Sequence, residues 1–200
     1  MNTHKAALIL VDVENDFLSK DGVLHAAVKD SLDANDTIRN LKRTLEAARK
    51  SDLKVIFTSM SFSHDYSEMG HNPYGILTAI KDSSALKRGT WGAQIADEIK
   101  LQDNDIVIQR STMCAFKQTN LKKILEDNGI ETLVFGGLVT DLCLETSIRS
   151  AYDIGYEVIS LVDCMASLNQ ATHENTVTEN FPLFSKPTTH EAFISEINKA

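Results

Sequence analysis

Residues 6–17 read Ala-Ala-Leu-Ile-Leu-Val-Asp-Val-Glu-Asn-Asp-Phe, an apolar run that ends abruptly on an acid, Asp12. A short apolar run bounded by polar residues is typical of a strand buried on both faces of a sheet. The same pattern recurs in four further runs: Lys54–Ser59, Ile106–Gln109, Thr132–Phe135 and Glu157–Val162. We predict a sixth strand at a sheet edge, over Leu183–Lys186.

Amphipathic stretches separate these runs and predict helices. They are Ser31–Lys50, Trp91–Lys100, Asn120–Asn128, Asp141–Ile154 and His190–Asn198. Alternating strands and helices form right-handed βαβ units, which build a parallel sheet covered on both sides. We therefore predict an α/β fold: a three-layer, doubly wound sheet of about six mostly parallel strands with helices on both faces. At 200 residues the chain is expected to form a single domain over residues 1–200.

Charge and composition exclude several classes of partner. The net charge of −8 leaves no basic stripe to neutralise phosphates, so we expect no nucleic-acid partner and no membrane partner. The first apolar run is too short to span a bilayer or to act as a signal peptide, which favours a cytoplasmic location. The three cysteines lack the C-x-x-C spacing of a zinc knuckle or a redox pair.

Ligands of doubly wound sheets bind beyond the carboxyl ends of the strands, so chemistry is sought there. Asp12 ends the first strand, and its alternative role is to cap a turn or helix. The fourth strand leads through Gly136 and Gly137 to Cys143, in the first turn of a predicted helix. Free N–H groups at a helix start stabilise a thiolate and can hold an oxyanion. The alternative is an inert buried thiol, which fits Cys114 and Cys164 better.

A cation, Arg110, ends the third predicted strand. At the same sheet edge its guanidinium can pair with Asp12 and lower the pKa of the Cys143 thiol. The alternative is a solvated surface arginine, which is the usual fate of a lone Arg. Acid, cation and thiol at three strand ends, in this order along the chain, are more specific together than any one of them alone.

With these residues the chain resembles the isochorismatase-like cysteine hydrolases, a superfamily that includes nicotinamidases, N-carbamoylsarcosine and maleamate amidohydrolases, and isochorismatases. The resemblance covers nearly the whole chain. It rests on five segments: Val11-Asp-Val-Glu-Asn-Asp-Phe17, Gly89-Thr-Trp-Gly-Ala93, Ser111-Thr-Met-Cys-Ala-Phe116, Gly137-Leu-Val-Thr-Asp-Leu-Cys143 and Val162-Asp-Cys-Met-Ala166.

The resemblance implies a triad of Asp, Lys and Cys. Asp12 falls on the general base and Cys143 on the nucleophile. The family lysine falls on Arg110, which keeps the positive charge but cannot readily give up a proton. The family also has a cis peptide bond in this turn, here Leu138–Val139, which would aim the backbone amides of Val139 and Cys143 at an oxyanion.

The resemblance bears on ligands as well. Nicotinamidase-type members carry an Asp-x-His metal set, whereas this chain has only the widely spaced His64 and His71 in the corresponding loop, so we expect no catalytic metal and no cofactor. We expect the loop Ser61–Tyr74 to act as a lid or an oligomer contact. Family members are commonly oligomers, so a homodimer or homotetramer is expected. The expected substrate-binding wall is formed by aromatic and sulfur-containing side chains: Phe17, Met60, Phe62, Trp91 and Phe116.

The leading functional prediction is a cysteine-dependent hydrolase that cleaves a C–N bond of a small amide or carbamoyl compound through a thioester. Two alternatives stay open. Arg110 in place of lysine suits a member that has lost hydrolysis and serves as a binding or regulatory protein. A vinyl-ether hydrolase of the isochorismatase type ranks lower, because such enzymes can lack the thiol that Cys143 supplies.

Overall fold

The computed structural model describes residues 1–199, and its six strands form one fully parallel sheet. The strands are β1 (Ala6–Val11), β2 (Lys54–Met60), β3 (Ile106–Arg110), β4 (Thr132–Leu138), β5 (Glu157–Ala166) and β6 (Lys186–Thr188). Their order, β3-β2-β1-β4-β5-β6, confirms the doubly wound α/β prediction. The sixth strand was predicted too early in the chain, because Phe181–Leu183 forms a 3-10 turn with Pro182 inside it.

Within the described part of the chain, eight α-helices connect and cover the strands. They are α1 (Asn15–Leu18), α2 (His25–Ala34), α3 (Thr37–Arg49), α4 (Ile76–Asp82), α5 (Leu121–Asp127), α6 (Glu145–Ile154), α7 (Gln170–Asn175) and α8 (His190–Ile197). Helices α3 and α8 pack together, whereas α5 and α6 belong to connections that run the opposite way across the sheet. Right-handed crossovers therefore place α5 and α6 on the other face. None of the helices within residues 1–199 combines the length and the apolar character that a membrane span requires.

Two helix predictions were wrong, for local reasons. The single helix predicted over Ser31–Lys50 is divided into α2 and α3, because Asp36 adopts a left-handed φ of 50°. The helix predicted over Trp91–Lys100 is a pair of 3-10 turns separated by extended chain. That chain pairs with the segment after β1: Ala96 donates its N–H to the carbonyl of Val13 at 2.9 Å. This pairing takes the backbone away from helical geometry.

The strand order reverses between β1 and β4, which lie side by side in the middle of the sheet. Such a switch point opens a crevice beyond the carboxyl ends of the strands. The ends of β1, β2, β3 and β4 all face this crevice in register, since Val11 pairs with Thr58 and Gly137, and Met60 pairs with Arg110. The fold thus gathers four strand ends at one place.

Candidate active site

Asp12 and Arg110 form a buried ion pair at the bottom of this crevice. Nη2 of Arg110 donates to Oδ1 of Asp12 at 2.5 Å, and the two side chains are 0% and 1% exposed. Nη1 donates to the carbonyl of Thr112, and the backbone carbonyl of Arg110 accepts from Ser61 at 2.8 Å. Both ends of Arg110 are therefore fixed, which excludes the solvated-surface alternative. Asp12 caps no helix; it follows β1 with a left-handed φ of 50°.

Cys143 lies on a wide turn, Thr140–Leu144, that leads from β4 into α6. Its two neighbours, Leu142 and Leu144, both donate their N–H groups to the carbonyl of Val139. Ser147 fixes the turn from below, because its hydroxyl donates to the carbonyl of Cys143 at 2.6 Å and accepts from the amide of Ala115 at 2.9 Å. The peptide bond between Leu138 and Val139 is cis, as predicted.

Burial, rather than the helix start, controls the ionisation of these groups. It raises the pKa of Cys143 well above its usual value; the charge of Asp12 raises it further, and Arg110 opposes both. Arg110 lowers the thiol pKa, as predicted, but burial and the charge of Asp12 outweigh its effect, so the net pKa of Cys143 is raised. Burial also raises the pKa of Asp12, again against the pull of Arg110. The pKa of Arg110 is raised by Asp12, Cys143 and Glu14 in spite of its burial, so its guanidinium stays protonated.

Glu14 is a further acid in the site, to which the sequence analysis gave no role. Its side chain is fully buried, and Oε1 accepts from the amide of Met60 at 2.6 Å. Its Oε2 has no hydrogen-bond partner among residues 1–199, and neither does Nε of Arg110. Burial and the charge of Asp12 raise the pKa of Glu14 well above its usual value. Its position just after a buried strand was the sequence signal that could have identified it.

A cavity of about 180 Å³ opens onto Asp12 and Cys143. Phe17 and Met60 line it, as predicted. Four of its wall residues, which the sequence analysis missed, come from α4: Ile76, Leu77, Ala79 and Ile80. Others come from turns: Leu24, Met113, Leu142 and Leu168. The apolar spacing of Ile76, Leu77 and Ile80 was the available signal for α4, which begins directly after the loop Ser61–Tyr74.

Three predicted wall residues lie elsewhere. Phe62 is fully buried and packs on Tyr66, with their ring centroids 5.9 Å apart. Phe116 stacks on Tyr156 at 6.3 Å. Trp91 is 42% exposed, and its Nε1 donates to Asp97 at 3.1 Å. Each of these rings satisfies its packing or hydrogen bonding locally, so none of them reaches the cavity.

The Gly89–Ala93 motif supports the site from outside. A Cβ on Gly92 would lie 2.3 Å from Oδ1 of Asp16, so the two residues pack in direct contact. The carboxyl group of Asp16 accepts from the amide of Leu86 at 2.7 Å, which fixes the chain beside α1. Glycine is needed at position 92 because no side chain fits against that carboxyl group.

The described part of the chain contains no cluster of potential metal ligands. Within residues 1–199 no three His, Cys, Asp or Glu side chains are grouped so that they could hold a metal ion. His64 and His71 are both exposed on the loop after β2. His173, by contrast, is buried, and its Nδ1 lies 2.9 Å from the hydroxyl of Thr140. Burial lowers the pKa of His173, so it supports the Cys143 turn as a neutral ring.

Comparison with known proteins places this geometry in a family. The family model described as the Isochorismatase domain matches residues 6–192. The chain belongs to the isochorismatase family. Among curated members, it is 32% identical over 170 residues to the ureidoacrylate amidohydrolase RutB of Agrobacterium fabrum, covering 80% of this chain and 75% of that one. The RutB of Serratia proteamaculans is 33% identical over 181 residues, covering 85% and 70%.

Solved structures of isochorismatase-like proteins share the fold. A cysteine hydrolase from Pseudomonas syringae pv. phaseolicola superimposes with a TM-score of 0.83 at 22% identity, over 100% of this chain and 95% of that one. The N-carbamoylsarcosine amidase of Thermoplasma acidophilum has a TM-score of 0.74 at 24% identity, over 94% and 97%. The predicted resemblance is confirmed, and with its amidohydrolase relatives the chain is classed as a hydrolase of the isochorismatase family.

Proposed function

We propose that this isochorismatase-family protein is a cysteine-dependent amidohydrolase that cleaves a C–N bond of a small amide or carbamoyl compound. The observation that carries the proposal is the group of Asp12, Arg110 and Cys143, with Asp12 and Cys143 lining the same cavity. A thiol beside a buried carboxylate has a base for its proton. The names of the curated relatives, ureidoacrylate amidohydrolases, support the same type of bond.

In this proposal Asp12 accepts the thiol proton as the sulfur of Cys143 attacks the carbonyl carbon. The backbone amides of Val139 and Cys143 hold the resulting oxyanion. Asp12 then returns the proton to the departing nitrogen, and a thioester remains on Cys143. Water attacks the thioester carbonyl while Asp12 takes one of the water protons. The acyl group leaves as the carboxylic acid, and Asp12 returns the proton to the sulfur of Cys143, which restores the thiol.

Arg110 has a purely electrostatic role in this sequence. Because its guanidinium stays protonated and donates to Asp12, it holds the carboxyl group in place and offsets the negative charge that passes between sulfur and carboxylate. The raised thiol pKa makes proton transfer part of the attack, since little free thiolate exists beforehand.

Ammonia release from a panel of small amides and ureas tests the proposal. Wild-type protein is expected to release ammonia from at least one compound. Cys143→Ser is expected to lose activity by a factor of about a thousand or more, since a hydroxyl at this pH is a far weaker nucleophile. Cys164→Ser is the matched control, because Cys164 is buried elsewhere against Thr44 and lines no part of the cavity. Equal activity of wild type and Cys143→Ser would contradict the proposal, whereas loss in both serine variants would indicate a folding defect.

A binding or regulatory protein is the second candidate, and one observation favours it. Arg110 is fully buried and permanently charged, so it cannot supply a proton to a leaving group. If protonation of the leaving group had to come from this position, the site would bind an amide without cleaving it. The exchange of Arg110 for lysine distinguishes the two candidates.

A further inference from the structure

The walls of the cavity are uniform in character. Fourteen of residues 1–199 line it, and among these fourteen only Asp12 and Cys143 have polar side chains. The rest are aliphatic, aromatic or methionine side chains from α1, from α2 and the residue before it, from α4, from the end of β2, and from the turns after β3, β4 and β5. Ligand sites usually place a few polar groups that orient polar parts of the ligand. Here the part of a ligand beyond the reacting carbonyl would meet hydrocarbon alone.

Among the described residues, cationic side chains are absent from the cavity lining. Within residues 1–199 no Lys, Arg or His lines the cavity. Arg110 lies behind Asp12, with its two terminal nitrogens donating to Asp12 and to Thr112. Arg88, on the segment that follows α4, pairs with Glu68 at 3.1 Å. A ligand carboxylate would therefore be desolvated beside the carboxyl group of Asp12 with no positive partner, which is strongly unfavourable.

The volume limits the size of the ligand. An apolar cavity of about 150 Å³ holds one benzene molecule. The cavity of about 180 Å³ next to Cys143 therefore takes about six to eight non-hydrogen atoms. Several of these belong to the amide itself, which leaves room for a short branched or cyclic hydrocarbon group.

We infer that the substrate is an uncharged amide with a compact hydrocarbon acyl group, and that anionic amides are excluded. This inference rests on the proposed function and specifies its substrate class. The reaction is R–CO–NH₂ plus the Cys143 thiol giving the R–CO–S thioester and ammonia. Water then converts the thioester to R–COOH and restores the thiol. The product ionises to a carboxylate at neutral pH, and the same apolar wall that admits the amide favours its release.

A pair of amides of matched shape tests the inference. Isovaleramide and malonamate differ in that the isopropyl group of one is replaced by a carboxylate of similar size in the other. We expect kcat/KM for isovaleramide to exceed that for malonamate by a factor of about a hundred or more, since an unpaired carboxylate is far less favourable to bury than an apolar group of the same size. Equal or better hydrolysis of malonamate would overturn the inference and leave the amidohydrolase proposal intact.

A positive charge introduced at the solvent-exposed edge of the cavity provides a second test. Leu168 lines the cavity and is 45% exposed, so a lysine there can reach both solvent and ligand. Leu168→Lys is expected to lower the ratio of kcat/KM for isovaleramide to kcat/KM for malonamate at least tenfold. Leu183→Lys is the control, because Leu183 is 72% exposed on the 3-10 turn before β6 and lines no part of the cavity. An unchanged preference in Leu168→Lys, or the same change in both variants, would count against the inference.

Protection of the thiol decides the case in which neither amide is hydrolysed. The proposed function would then fail, but ligand choice can still be read from alkylation of Cys143 by iodoacetamide, followed by site-resolved mass spectrometry with Cys114 as the internal reference. Slower labelling of Cys143 in the presence of isovaleramide, and not of malonamate, would support the inference. Protection by malonamate, or by neither compound, would overturn it.

Discussion

Arg110 shows how much of the chemistry depends on one side chain. It is one of four groups that can carry charge at the bottom of the crevice, with Asp12, Glu14 and Cys143, and it is the only cation among them. Its two terminal nitrogens make different bonds, one to Asp12 and one to the carbonyl of Thr112. A lysine keeps the charge but has a single nitrogen and a shorter reach, so it cannot make both bonds in the same geometry.

Arg110→Lys is therefore expected to lower kcat/KM by about tenfold to a hundredfold, which corresponds to the loss of one charge-assisted hydrogen bond. Arg110→Met, which also removes the charge and leaves Asp12 unpaired, is expected to lower it further. Steady-state kinetics on an amide that the wild type cleaves, with thermal melts to check folding, provides the measurement. A lysine variant more active than wild type would show that arginine impairs hydrolysis and would favour the binding-protein alternative.

At the scale of one element, the end of β4 determines where the nucleophile lies. Gly137 has a φ of 118°, and a Cβ there would lie 1.9 Å from the carbonyl oxygen of Val11 on β1. The register between β4 and β5 shifts at this same point, between Phe135 and Gly137. Because Val11 directly precedes Asp12, this close approach of two backbones positions the acid and the turn that carries Cys143 relative to each other.

Gly137→Ala is expected to force β1 and β4 apart. We expect a loss of about 2–4 kcal/mol in the free energy of unfolding, from the clash together with the strained φ, and a larger loss of activity because Asp12 and Cys143 separate. Gly155→Ala is the matched control. Gly155 also has a positive φ, 104°, but a Cβ there meets nothing within 4 Å, so it should cost about 1 kcal/mol and leave activity unchanged. Urea unfolding and amidase rates measure both effects, and equal behaviour of the two variants would contradict the argument.

At the scale of the whole molecule, the sequence predicts the sheet well because its buried strands are unbroken apolar runs such as Ala6–Val11. Asp12, Arg110 and Cys143 follow from the sheet, since parallel strand ends meet at one edge. Helix α4 is short and follows a polar loop, so its part in the cavity depends on tertiary packing. Trp91 belongs to a motif, but a motif does not specify where a ring points. Burial, which raises the thiol pKa, is likewise a property of the folded molecule.

A fold that buries several ionisable groups at the carboxyl ends of its strands loses stability as those groups ionise. Glu14 is the group on which this effect can be measured. The charged groups that face it are Asp12 after β1 and Arg110 on β3, while β2 offers the amide of Met60. Because its folded pKa is raised, the native state holds its proton over a pH range in which the unfolded chain has released it. The free energy of unfolding therefore falls as pH rises above the unfolded pKa, which is about 4.3.

Glu14→Gln removes this ionisation, while its side-chain oxygen can still accept from Met60. We expect the free energy of unfolding of the variant to match that of wild type within about 1 kcal/mol near pH 5. Toward pH 8 the variant should become more stable than wild type, by about 1.4 kcal/mol for each pH unit between the unfolded and the folded pKa of Glu14. Urea unfolding at pH 5, 6.5 and 8 measures the difference. For Glu179→Gln, at an exposed position, the free energy of unfolding should change with pH in the same way as in wild type. A Glu14→Gln curve that also runs parallel to wild type would mean that Glu14 is already ionised in the native protein, with Arg110 holding its charge as well as that of Asp12.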